Sequence, residues 1–195
     1  RLAGADLGPP TGTRVGGIFD AVDAELEKSR TWHVHESENH HCQGFSTCWH
    51  FAKLAKDNPA FASREYDDGH TVEEHYNAWT EYIKAYCLER AKKGLFIEMN
   101  NDRYNGHLLK GVYNFYDFAS DETMKARVGA LLDLYWATWA QEQFRGVLGG
   151  GKARLYPRAG SGYIDAGRSY GTSMAWFFLG IGDPQPAGSA ILTTL

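Results

Sequence analysis

The stretch TVEEHYNAWTEYIKAYCLERAKKG, residues 71–94, decides the fold. Thr71 followed three positions later by Glu74 predicts a capping box, in which hydroxyl and carboxylate each satisfy a backbone N–H that a helix start leaves open. From there Val72, Tyr76, Trp79, Ile83, Tyr86 and Leu88 return at helical spacing and define an inward face. Lys92 and Lys93 suit the negative end of the helix dipole, and Gly94 supplies the stop.

The same spacing recurs on both sides. Ile18, Phe19, Val22 and Leu26 predict a helix from Gly17 to about Trp32. Phe45, Cys48, Trp49, Phe51, Ala52 and Ala55 predict another, beginning near Gly44 and ending before Asn58-Pro59. Further helices are expected from Arg103 to Ala119, from Thr123 to Gln143 with Val128, Leu131, Leu132 and Tyr135 on one face, and from Ser169 to Leu179. The chain is therefore expected to be all-α, about six helices paired as antiparallel α-hairpins, with a long Gly-rich loop over 146–162. Residues 1–16 read as a linker, 17–182 as one helical domain and 183–195 as an extended tail.

Composition narrows the function classes. The 195 residues carry 20 Lys+Arg against 24 Asp+Glu, with no basic block, so no nucleic-acid footprint is present. No apolar run approaches the roughly 20 residues of a membrane helix, and no signal peptide is visible. Cys42, Cys48 and Cys87 lack metal-finger spacing. Cys42 and Cys48 straddle an expected helix start, a poor geometry for a disulfide. Aromatic residues reach 14 %, with 6 Trp and 11 Tyr; Trp79, Trp136, Trp139 and Trp176 sit at helical spacing and read as core.

Chemistry collects in three connections. The run TWHVHESENHH, residues 31–41, packs four histidines, two glutamates and an asparagine ahead of an apolar segment. Such a density of polar groups is expensive to bury and suits a ligand-facing loop. Glu98-Met-Asn-Asn-Asp-Arg-Tyr104 and Tyr163-Ile-Asp-Ala-Gly-Arg-Ser-Tyr170 precede the fourth and sixth expected helices, whereas the other connections are turn-like. Alternate connections of an antiparallel array share one end, so the three polar segments are expected on one rim beside helix N-termini.

Ser37-Glu-Asn-His40 before one helix and Gly94-Leu-Phe-Ile-Glu-Met-Asn-Asn-Asp-Arg-Tyr104 before another resemble bacterial carbohydrate-active proteins of (α/α)-toroid type. Phe115-Tyr-Asp-Phe-Ala119 and Leu131-Leu-Asp133 add to the likeness, which covers roughly residues 15–182. The family includes polysaccharide lyases and glycoside hydrolases built on α-hairpins around a cleft. Six helices supply about half of such a ring, so the resemblance implies a partial toroid or one completed by additional chain. It also implies a polysaccharide or oligosaccharide partner and an extracellular or periplasmic location.

For a lyase, the resemblance implies β-elimination on a uronate. Asn39, His40 and an arginine (Arg154, Arg158 or Arg168) would neutralise the carboxylate, and Tyr104 or a histidine would be the base. Asn100, His41, Tyr163 and Tyr170 complete the expected binding set. For a hydrolase, Glu38 and Glu98 form the carboxylate pair, Glu98 being a carboxyl set behind three apolar residues as a general acid requires. Against these stand plainer readings: Glu38 caps a helix, His40 bonds a neighbouring loop, and Glu98 pairs with Arg103 or Arg154. A third possibility is a sugar-binding or scaffold domain without chemistry. His33-x-His35 with Glu36 or Glu38 is a weak metal pattern, and neither metal nor cofactor is assigned.

Overall fold

The computed structural model describes residues 37–66, 68–99, 104–144, 146–148 and 170–182. Among them lie five helices, α1 (Glu38–Asp57), α2 (Val72–Lys92), α3 (Tyr104–Phe118), α4 (Glu122–Glu142) and α5 (Tyr170–Leu179). A short antiparallel pair, β1 (Gln143–Phe144) with β2 (Val147–Leu148), follows α4. The all-α expectation holds. The linker 1–16, the expected helix over 17–32, the His33/His35 pair and the tail 183–195 lie outside the described residues.

Helix α2 forms as its sequence dictates. The Thr71 hydroxyl accepts the Glu74 N–H at 3.2 Å, and the Glu74 carboxylate accepts the Thr71 N–H at 2.7 Å. Val72, Tyr76, Trp79, Ile83 and Tyr86 are buried, but Leu88 is 42 % exposed, contrary to expectation. Two residues beyond Tyr86 is about 200° around the helix, and the buried stripe ends instead on Cys87.

Helix α1 begins at Glu38 and not near Gly44, so Glu38–His41 is its first turn and not part of a loop. Ser37 is extended (φ −144°, ψ 154°) and its carbonyl accepts the His41 N–H at 3.0 Å. The Ser37 hydroxyl makes no cap; it donates to Asn39 Oδ1 at 2.6 Å. Apolar periodicity could not locate this start, because the first turn is polar throughout and two of its members, Asn39 and His41, are nevertheless buried.

The helices pack in two layers. α3 lies between α1 and α5 in one layer, α2 lies against α4 in the other, and the contacts α1–α2 and α3–α4 join the layers. Trp49, Trp79 and Trp139 are at most 1 % exposed and fill the space between. The Trp49 indole N–H donates to Thr80 Oγ1 at 3.1 Å, and that hydroxyl donates to the Tyr76 carbonyl at 2.7 Å. α5 is held by Phe178 stacked on Tyr113 at 4.2 Å, while Tyr113 Oη accepts the Trp136 N–H at 2.6 Å. Lys84 donates to Glu81 and to Asp121, both at 2.7 Å, and Asp121 caps α4 by accepting the Met124 N–H.

Helices α1 and α3 approach closely at Gly111, where a Cβ would stand 3.0 Å from Cys42 Sγ and 3.3 Å from the Cys42 carbonyl. The backbone oxygen cannot rotate away. Gly111→Ala gains about 1 kcal/mol of helix propensity but overpacks the contact by about 2 kcal/mol. We expect a net loss near 1 kcal/mol in urea unfolding; a stabilised variant would mean that the two helices slide apart freely.

Candidate functional site

At one end of the array the first turn of α1 meets the connection 94–99 and the last turn of α2. After α2 the chain turns through two consecutive left-handed residues, Gly94 (φ 92°) and Leu95 (φ 66°). Glycine adopts this geometry without strain; leucine does not. Leu95 is held there by burial at 6 % exposure and by its N–H, which donates to the Arg90 carbonyl at 2.8 Å. The turn brings Glu98 onto the start of α1.

The two glutamates then exchange backbone contacts. Glu98 Oε2 accepts the Asn39 N–H at 3.3 Å, so a carboxylate 59 residues downstream supplies the cap that Ser37 does not. Glu38 Oε2 accepts the Glu98 N–H at 3.1 Å, and Glu38 Oε1 accepts Arg90 Nη1 at 2.8 Å. The Arg90 guanidinium also lies over the Tyr86 ring, 5.3 Å from its centroid. Burial raises the proton affinity of Glu38 above that of an ordinary carboxyl, outweighing the Glu98 N–H and the Arg90 charge, with the Glu98 carboxylate adding to the rise.

Beneath this clamp Asn39 is 2 % exposed and His41 is 7 % exposed. His41 Nε2 lies 2.6 Å from Tyr82 Oη, and its ring stands edge-on to Phe45. Burial raises the phenols of Tyr82 and Tyr86 well above their usual range, so both keep their protons. Cys42 is fully buried, its thiol donating to the Leu108 carbonyl at 3.6 Å and pushed up by burial. Cys48 and Cys87 are pushed up to about 12 by the same cause. None of the three is a ready thiolate.

His40 is exposed on the same first turn, and Tyr104 opens α3 half-buried, its ring 6.1 Å from that of His107. The structure thus brings Glu38, Asn39, His40, His41 and Glu98 together as the order of the helices implied, with Tyr104 at the start of the neighbouring helix. Asn100, Arg103, Arg154, Arg158, Tyr163 and Arg168 lie outside the described residues; Tyr170 starts α5, and its side chain is likewise outside them.

Sequence reasoning missed Arg90 and Tyr82. Arg90 had a signal, since the cationic last turn of one helix in an antiparallel pair falls beside the first turn of its partner. Tyr82 had none, being one more aromatic on a buried stripe. Among the described residues no three His, Cys, Asp or Glu side chains are placed to hold a metal ion, and no helix is long and apolar enough to cross a membrane. No protein-family model, curated protein or solved structure matches the chain.

Proposed function

We propose that this chain is a carbohydrate-active domain of (α/α)-toroid type that engages an acidic polysaccharide at the α1/94–99 rim and cleaves it by β-elimination. The observation that carries the proposal is the convergence of Glu38, His40, Arg90 and Glu98 at one end, beside the start of α3. The Glu38–Arg90–Glu98 clamp holds the rim in shape. His40, on its surface, faces the uronate carboxylate; Tyr104, reacting as the phenolate, takes the proton from C5, the C4–O bond breaks as the C4=C5 double bond forms, and Tyr104 returns that proton to the departing oxygen. Two layers with α1, α3 and α5 side by side are the arrangement that stacked α-hairpins require. Additional chain closes the ring, and a polymeric substrate is met outside the cell or in the periplasm.

One observation favours a second reading. A buried carboxyl of raised proton affinity is what a general acid needs, and Glu38 is one. On that reading Glu38 and Glu98 serve a glycoside hydrolase. The assay that separates these incubates the protein with a panel of uronate-containing polysaccharides and follows ultraviolet absorbance from a new C=C bond. We expect that absorbance to rise. New reducing ends without it would establish hydrolysis instead, and binding without either product would leave a sugar-binding domain.

A further inference from the structure

Arg90 is engaged by less than its chemistry allows. A guanidinium presents its N–H donors in a planar fork, and among the described residues Arg90 commits a single nitrogen, Nη1, to Glu38 at 2.8 Å. Nε and Nη2 make no hydrogen bond there, and neither is buried. The side chain is 28 % exposed, so solvent reaches the donors that Glu38 leaves. Nε and Nη2 share one edge of the guanidinium, and such an edge grips a carboxylate through two parallel N–H···O bonds.

That edge is also fixed in place. The guanidinium lies over the Tyr86 ring, 5.3 Å from its centroid, which covers a face and leaves the in-plane donors open. Glu38 holds the opposite corner, and the Arg90 carbonyl accepts the Leu95 N–H at 2.8 Å, tying this turn of α2 to the 94–99 connection. Little side-chain freedom is left to lose when an anion arrives.

We propose that the Nε–Nη2 edge of Arg90 is the rim's receptor for a carboxylate, taken bidentately while Glu38 keeps Nη1, and that carboxylate binding draws a proton into the rim. The ligand class, a uronate, rests on the carbohydrate reading; the receptor rests on Arg90 itself.

The proton follows from the charges around Glu38. Glu38 and Glu98 set two carboxylates beside the one guanidinium, and a bound uronate adds a third. Tyr86 of α2 and Cys42 of α1 also couple to Glu38, but burial keeps both protonated and uncharged. His40 and His41 are the other titratable groups of that turn. Glu38 is the group that yields. Burial already raises its proton affinity, and an anion on the far edge of Arg90 offsets the charge that opposes the rise. Affinity should therefore increase as pH falls through the ligand-bound value of Glu38, by at most about tenfold per pH unit for one proton.

The test is isothermal titration calorimetry of the full chain with oligosaccharides of galacturonate, glucuronate and mannuronate, each as acid and as methyl ester. Titrations at pH 5 and pH 7, in buffers of different ionisation enthalpy, count the protons taken up. We expect at least one acid to bind about tenfold more tightly than its ester, and more tightly at pH 5 than at pH 7 with net proton uptake. Arg90→Lys keeps a cation for Glu38 but loses the fork, and should weaken acid binding about tenfold. Glu38→Gln should abolish the proton uptake. Equal affinity for acid and ester in the wild type, or acid binding untouched by Arg90→Lys, would overturn the receptor and leave the rim reading standing. Uptake that persists in Glu38→Gln would move the proton to a histidine and overturn the coupling. Silence with every oligosaccharide would sink the receptor and the rim reading together.

Discussion

Tyr104→Phe is expected to lower kcat for the elimination by about 10²- to 10⁴-fold, the range for loss of a positioned acid or base, while Glu98→Gln lowers it less than tenfold. The pair is informative because both changes keep the shape of the rim. Glutamine at 98 retains an oxygen that accepts the Asn39 N–H, so α1 keeps its distant cap. Phenylalanine at 104 keeps the ring beside His107. Each change removes the group proposed to take or give a proton. The reverse outcome, turnover lost in Glu98→Gln and retained in Tyr104→Phe, would transfer the chemistry to a carboxylic acid and make the enzyme a hydrolase. If neither change alters turnover, both assignments fail and the rim binds without reacting.

How much of this was legible depended on which force placed each residue. The α2 boundaries were plain because Thr71, Glu74 and Gly94 act locally, through bonds that span a few positions. The meeting of residues 37–41 with Glu98 followed from helix order alone, since antiparallel hairpins return every second connection to the same end. The start of α1 was not legible. Its cap is Glu98, and no local rule points from Ser37 to a carboxylate that far away. Nor did pattern separate a buried histidine from an exposed one: His40 and His41 are adjacent, yet only His41 finds Tyr82 between the layers.

The clamp itself predicts a stability effect with a definite pH signature. Arg90→Met is expected to cost about 3 kcal/mol at pH 7, toward the lower end for breaking a largely buried ion pair, because Arg90 retains some solvent exposure while the Glu38 side chain is only 7 % exposed. Glu38 binds its proton more tightly folded than unfolded. Its contribution to stability is therefore fully present below the unfolded carboxyl pKa, about 4.3, and is lost as pH rises through the higher folded value. Removing Arg90 takes away a charge that holds the folded value down, so the loss extends further upward in pH. Below that window Glu38 is protonated and needs no cation. The cost of Arg90→Met should accordingly shrink to about 1 kcal/mol at pH 4, the remainder reflecting lost packing on Tyr86, and adding Glu38→Gln should restore most of the pH 7 deficit. Urea unfolding of the wild type and both variants at the two pH values measures this. An equal penalty at pH 4 and pH 7 would show that Arg90 acts through its packing on Tyr86 and not through its charge on Glu38. The clamp would then be a matter of shape, and the Arg90 charge 2.8 Å from Glu38 would contribute little to stability.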